Sequence, residues 1–390
     1  MRLTLSAVSL LGFLLAAQAS SDNHGHKDAS CGSSKKIVKG KAFDRIIQVW
    51  LENTDFEAAH ADPNLQALAK EGLTLSNYFG VTHPSEPNYV ASVGGEYFGI
   101  NNDNLFRVPR NVSTVVDLLE DKGMSWAEYQ EDMPSTGFDG FEFRNPTTGA
   151  NDYVRKHNPL IIFDSVASDP SRAANIKNFT LFEKDLAANQ LPQWIFITPN
   201  MTNDGHDTNV TFAGTWSRGF LEPLLKNPHF NDHKTLVILT FDENEGGAHN
   251  RIFTILLGGA IPKEMIGQVD DSFYDHYSTI ATVEANWDLH TLGRWDVGAN
   301  VFDFVAEKTG DVTRTPENID TIGLNVSYPG IFNTGHLAKQ PVPNTKLVVN
   351  GRTVLPAIQK EWESQVECTG YFGQLVPPSA LTPPPVPSGC

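Results

Sequence analysis

Four apolar runs constrain this chain more than any other feature. Arg45-Ile-Ile-Gln-Val-Trp-Leu51 is β-branched and almost wholly apolar. Leu191-Pro-Gln-Trp-Ile-Phe-Ile-Thr198 holds a second run after its proline, Thr235-Leu-Val-Ile-Leu-Thr-Phe241 is a third and Arg251-Ile-Phe-Thr-Ile-Leu-Leu257 a fourth. Continuous rather than alternating apolar character predicts strands covered on both faces. Helical spacing between or after them predicts helices over Pro63 to Glu71, Val115 to Lys122, Ala213 to Leu221 and Ser278 to Leu289. Asp62 before Pro63 is a helix start signal. Strands alternating with helices predict an α/β fold with a mostly parallel central sheet and helices on both faces.

The ends differ in character. Met1-Arg2, the mainly apolar run Leu3 to Ala17 and Ala17-Gln-Ala19 read as a secretory signal peptide over residues 1–19. Residues 20–41 read as a flexible lead-in, 42–310 as the catalytic domain and 311–390 as a C-terminal extension. That extension carries a hairpin signal at Asn350-Gly351 and six prolines between Pro377 and Cys390. No stretch after the leader is long enough to span a bilayer, so no stable membrane association is expected. Sequons at Asn111, Asn178, Asn200, Asn209 and Asn325 agree with export, which places the protein outside the cell or in a cell wall. Cys31, Cys368 and Cys390 allow at most one internal disulfide, in any of three pairings. The net charge of -17 argues against a nucleic-acid partner, because such a surface repels phosphate backbones. Oligomeric state is not legible.

Polar groups gather where the strands end. Glu52-Asn53 follows the first, Asn200-Met-Thr-Asn-Asp-Gly-His-Asp207 the second and Asp242-Glu-Asn-Glu245 the third. In open α/β sheets the carboxyl ends of the strands form the ligand site. Carboxylates crowded there repel one another unless a cation joins them. Oxygen donors favour a hard divalent ion such as Mg, Mn or Ca. Ser85 lies between Pro84 and Pro87, in what reads as a rigid non-helical turn, and a metal would help its hydroxyl lose a proton.

Taken in order, Glu52-Asn53, His83-Pro-Ser-Glu-Pro-Asn-Tyr89, Pro199-Asn200 with Asn203-Asp-Gly-His-Asp207, Phe241-Asp-Glu-Asn244, and Asp275-His-Tyr-Ser278 with Thr282-Val-Glu-Ala-Asn-Trp287 resemble the phosphoesterase family of bacterial phospholipases C and secreted acid phosphatases. Within it the likeness is to the secreted fungal acid phosphatases. The resemblance covers roughly Phe43 to Gly310 and implies an alkaline-phosphatase-like α/β/α sandwich. It implies Ser85 as nucleophile, Glu52, Asn53, Asp242 and Glu243 as metal ligands, and His206 near the phosphate, as leaving-group acid. Two-zinc relatives carry His where Glu243 stands, which argues against two zinc ions here. His249, His276, Asn102 and Asn104 are further phosphate-binding candidates. The implied activity is hydrolysis of small phosphate monoesters through a phosphoserine. The alternatives are a phospholipase C-type phosphodiesterase and, from another class, a non-catalytic secreted cell-wall glycoprotein. A sulfatase is disfavoured, because no Cys-x-Pro-x-Arg occurs.

Overall fold

The computed structural model describes residues 37–246, 248–316, 331–332 and 342–365. The leader, most of the lead-in, all three cysteines, Asn325 and the proline-rich tail lie outside the described residues.

In chain order the strands are β1 (Arg45–Leu51), β2 (Leu73–Phe79), β3 (Trp126–Gln130), β4 (Glu142–Arg144), β5 (Asn151–Val154), β6 (Ile176–Asn178), β7 (Trp194–Thr198), β8 (Thr235–Phe241), β9 (Arg251–Leu257), β10 (Val269–Asp270), β11 (Tyr274–Asp275), β12 (Val348–Val349) and β13 (Arg352–Thr353). The helices are α1 (Phe56–Ala61), α2 (Pro63–Ala69), α3 (Ser85–Gly94), α4 (Val115–Asp121), α5 (Asp164–Ala167), α6 (Pro170–Ala173), α7 (Phe179–Ala187), α8 (Val210–Leu225), α9 (His276–Trp287), α10 (Asp303–Thr309) and α11 (Pro356–Trp362). Nine strands form the main sheet in the order β10-β2-β9-β8-β1-β7-β3-β6, with β11 also pairing β2. The four apolar runs are β1, β7, β8 and β9, which lie side by side at the centre of the sheet.

The sheet is mixed and mostly parallel: β9 runs antiparallel to both β8 and β2. Phe241 and Arg251 are joined by residues 242–250 alone, too short for a parallel crossover. Both faces are covered. Gln48, Phe196 and Glu128 lie in register across β1, β7 and β3 and share a face with Trp50. On that face Trp50 packs against Tyr89 of α3 and His276 of α9. The opposite face carries Tyr129, which packs edge-on against Phe182 of α7, itself beside Phe220 of α8.

Local chemistry fixes the helix ends. Asp62 accepts from the N–H groups of Asn64 and Leu65 and starts α2 with Pro63 in first position. Asp275 caps α9 through Tyr277 and Ser278, in a capping box. The Ser85 segment corrects the sequence expectation: it is the first turn of a ten-residue helix, not a non-helical turn. Pro84 stands outside that helix and Pro87 within its first turn, where an N–H has no intrahelical acceptor to lose. The helix stops at Gly95, with φ 66°, a left-handed conformation suited to glycine. The Asn350-Gly351 turn joins β12 and β13, with φ 46° and 82° at the two positions.

Candidate active site

The carboxyl ends of β1, β7, β8 and β2 point to one edge, because these strands are mutually parallel. Glu52 follows β1, Asp242-Glu243 follows β8, and the loop after β2 leads into Ser85 at the start of α3. Residues 33 and 158 positions away are thus brought to one hydroxyl. Ser85 Oγ donates within 3.3 Å of Glu52 Oε2 and 3.4 Å of Glu243 Oε1. Ser85, Glu52, Asp242 and Glu243 are all nearly inaccessible.

Each carboxylate is held differently. Glu52 Oε1 accepts from the Tyr89 hydroxyl at 2.8 Å and pairs with His157 Nε2 at 2.9 Å. Glu243 accepts from Asn53 Nδ2 (2.6 Å) and Asn88 Nδ2 (3.2 Å) and pairs with His83 Nδ1 (2.7 Å). Both carboxylate oxygens of Asp242 are buried, and among the described residues neither accepts a well-aligned hydrogen bond, although the Ser85 hydroxyl stands close enough to favour its charged form.

The charges follow. Burial works against ionised Glu52, but the charge and contact of His157, with Lys156 and His206 behind it, hold it down at about 2. Burial likewise opposes a charged His157, yet Glu52 and Asp204 outweigh it and raise the imidazole to about 9. Asp204 rises to about 6, by burial first and then by the charge of Glu52. Asp242 is raised well above the usual carboxylate range by burial, then by Glu52 and Glu243. Glu243 is also raised, burial leading. An orphaned, buried carboxylate beside two others is the donor set a hard divalent cation fits, since one cation would satisfy the bare oxygens and offset the repulsion.

Among the described residues, Glu52, His157 and His206 form a group whose potential ligand atoms all lie within 4.8 Å of one another, and Glu52, Asp242 and Glu243 do not form such a group. His157 faces two carboxylates, Glu52 and Asp204, and as an imidazolium it must lose a proton before it can ligate. Among the described residues Glu52, His157 and His206 are thus the convergent candidate group, and a cation bound there would displace the His157 proton.

Of the residues singled out from sequence, Ser85, Glu52, Asn53, Asp242 and Glu243 come together. His206 stands at the rim, its Nδ1 2.8 Å from Asp207 and its Nε2 3.3 Å from Lys156 Nζ. Other expectations are corrected. Asn102 and Asn104 bond within their own turn, where the Asn104 N–H donates to Asn102 Oδ1. Their neighbour Asp103 is the one that reaches the site, accepting from the Glu86 N–H at 3.0 Å. His276 is buried in the core, stacked at 4.4 Å on Trp50, with Nε2 against the Asp242 carbonyl. Burial holds it down at about 3, so in this packing it is neutral. His249 has a left-handed backbone, φ 79°, and a buried Nδ1 with no partner among the described residues.

Lys156, His157, Asp204, Asp103 and Asn88 carry site contacts that the sequence reading did not assign. Arg155-Lys-His157 is a rare basic triplet in an acidic chain, and that was the available signal. Among the sequons, Asn209 is exposed and caps α8 through Oδ1, leaving Nδ2 free of hydrogen bonds among the described residues. Asn200 instead commits its Nδ2 to Asp132 at 2.7 Å. No helix among the described residues is long and apolar enough to cross a membrane.

Comparison with known proteins finds close relatives by sequence. The chain is 56% identical to an acid phosphatase of Aspergillus fumigatus over 306 residues, covering 77% of this chain and 67% of that one. It is 53% identical to a probable acid phosphatase of Kluyveromyces lactis, covering 84% and 77%. An acid phosphatase of Aspergillus niger is 45% identical, covering 94% and 91%. A solved protein of the alkaline phosphatase superfamily from Vibrio parahaemolyticus aligns with a TM-score of 0.42 at 10% identity, covering 64% and 67%. The phosphoesterase family model matches residues 51–290, which include Ser85 and every carboxylate around it, and the chain belongs to the phosphoesterase family.

Proposed function

We propose that this chain is a secreted acid phosphatase that hydrolyses small phosphate monoesters with Ser85 as nucleophile. The observation that carries this reading is the Ser85 hydroxyl, set at the start of α3 within 3.4 Å of two buried carboxylates, in a chain more than half identical to a named acid phosphatase.

Glu52, Asp242, Glu243 and Asn53 would hold a divalent cation. When bound, it would favour the serine alkoxide and offset charge on the phosphoryl oxygens. The protein's own groups do the rest. Glu52 and Glu243 flank the single Ser85 O–H, either able to accept it, and orient its oxygen for in-line attack on phosphorus. Tyr89 and His157 fix Glu52, while His83, Asn53 and Asn88 fix Glu243, so the hydroxyl meets a preorganised setting. The positive end of the α3 dipole adds to the stabilisation of charge at Ser85. A bond forms between Ser85 Oγ and phosphorus as the hydroxyl proton passes to Glu243 and the bond to the leaving oxygen breaks, and Glu243 returns that proton to Ser85 when the intermediate is hydrolysed. His206 gives that oxygen a proton from the site rim. Water then attacks the phosphoserine, releasing phosphate and restoring the hydroxyl. The leader at residues 1–19 and the sequons, Asn209 foremost, support export and glycosylation.

Ser85→Ala should cut release of p-nitrophenol from p-nitrophenyl phosphate by several orders of magnitude, with the thermal midpoint shifted by no more than a few degrees. Near-normal turnover in folded Ser85→Ala protein would remove Ser85 from this role. A wild type that prefers the diester to the monoester would make the protein a phosphodiesterase instead.

A further inference from the structure

The site is rich in carboxylates, and its substrate, on the reading above, is a phosphate monoester, which gains a second negative charge as its second proton leaves near about pH 6. Something cationic must meet that charge besides a metal ion. The Arg155-Lys-His157 turn divides three basic side chains among three tasks. Arg155 is buried and spends its guanidinium on Asp139 and on the carbonyls of Phe106 and Ile161, at 3.0, 2.7 and 2.9 Å. His157 is buried between Glu52 and Asp204. Both neighbours are therefore locked, and the turn sets where the Lys156 side chain emerges.

Lys156 keeps 15% of its side-chain surface exposed, so its ammonium stands at the edge of the site rather than within the core. Nζ donates to Asp103 Oδ2 at 3.0 Å and lies 3.3 Å from His206 Nε2. The other oxygen of Asp103 accepts from the N–H of Glu86, the residue after the nucleophile. Two hydrogen bonds thus tether the ammonium to the start of the nucleophile's own helix. An ammonium has three N–H groups, so at least one donor stays available beyond the Asp103 contact, whichever tautomer or charge state His206 adopts.

We infer that Lys156 is the specificity-determining cation of the site: its ammonium contacts a terminal oxygen of the phosphoryl group and selects dianionic monoesters over monoanionic diesters. A monoester presents three non-bridging oxygens and a second charge, and a diester lacks both. A fixed ammonium in a carboxylate-rich, partly dehydrated site stabilises the extra charge of the monoester, and it gives a diester less in return. The inference rests on the phosphatase reading and goes beyond it by assigning substrate choice to one side chain.

The test compares two esters with the same leaving group, p-nitrophenyl phosphate and methyl p-nitrophenyl phosphate, in wild type, Lys156→Met and Lys156→Arg. Loss of one charge-assisted contact corresponds to roughly a 10–100-fold fall in kcat/KM for the monoester. The diester should fall by less than about 5-fold, and Lys156→Arg should recover much of the monoester rate while keeping the preference. Inhibition by inorganic phosphate should weaken about 10-fold in Lys156→Met. Equal losses on both esters, or an unchanged preference in a folded variant, would overturn the inference. Should Lys156→Met fail to fold, Lys156→Gln keeps an amide donor for Asp103 without the charge and serves the same comparison. A wild type inactive on the monoester would instead sink the phosphatase reading, which separates the two failures.

Discussion

Replacing Glu128 by glutamine should make the fold less sensitive to alkali. Glu128 lies in β3, fully buried, with one carboxyl oxygen accepting from the Leu160 N–H at 3.1 Å. The other has no partner among the described residues. Burial raises its pKa to about 8, against 4.5 in the ordinary range, and the Leu160 bond offsets only part of this. Between those values the folded chain keeps a proton that the unfolded chain has released. Unfolding then releases a proton, so stability falls as pH rises through that window. The full shift corresponds to about 5 kcal/mol at pH values above 8, an upper figure because local relaxation shares the cost. Glu86, also raised to about 8, and Asp275, raised to about 7, act with the same sign, burial leading in each. Glutamine keeps the acceptor for Leu160 and has no proton to lose. Urea denaturation of wild type and Glu128→Gln should give similar stabilities near pH 5. The variant should then gain on the wild type by about 3–5 kcal/mol between pH 5 and pH 9. Parallel stability curves over that range would refute the assignment of a buried, protonated Glu128.

Further outcomes follow from the site and the helix ends. Asp242→Asn should lower divalent-metal affinity and phosphatase activity together, yet raise the thermal midpoint of chelator-treated protein near neutral pH, because folding no longer has to force a proton onto a buried carboxylate; a lower midpoint without metal would contradict the raised Asp242 pKa. In chelated wild type, added metal at 100-fold over its dissociation constant should stabilise the fold by about 2.7 kcal/mol, and calorimetry that shows no shift would argue against any resident cation. His157→Gln removes the charge that holds Glu52 at about 2, so the acid limb of the kcat/KM profile should move to higher pH; an unmoved limb would detach Glu52 ionisation from activity. Asp62→Ala removes the side chain that accepts from Asn64 and Leu65 and should cost about 1 kcal/mol in chemical denaturation, with activity retained.

Much of the scaffold was legible because burial on two faces leaves a local mark. The strands β1, β7, β8 and β9 are continuous apolar runs, and the acids directly after β1 and β8 could be placed at the strand ends. Leu73–Phe79 and Trp126–Gln130 were missed because polar residues interrupt them, Ser76 and Asn77 in one and Glu128 and Gln130 in the other. The helix that presents Ser85 was hidden by two prolines, which a first turn tolerates and a helix interior does not. The antiparallel direction of β9 followed from its short connection to β8, not from its composition.

The sequence alone determined which residue types reach the carboxyl edge of the sheet, because strand ends and the polar residues beyond them are neighbours along the chain. Only the tertiary structure decided how those residues are charged and paired. Glu52 meets His157 across 105 positions, and Asp103 meets both Glu86 and Lys156 from a turn whose asparagines had drawn attention instead. Asp242 and Glu243 are adjacent and chemically alike, yet among the described residues Glu243 accepts from Asn53 and Asn88 while Asp242 accepts no well-aligned hydrogen bond. The physical reason is that ionisation depends on burial and on charges a few ångströms away. Those distances are set by sheet register and helix placement, which no local window of residues contains.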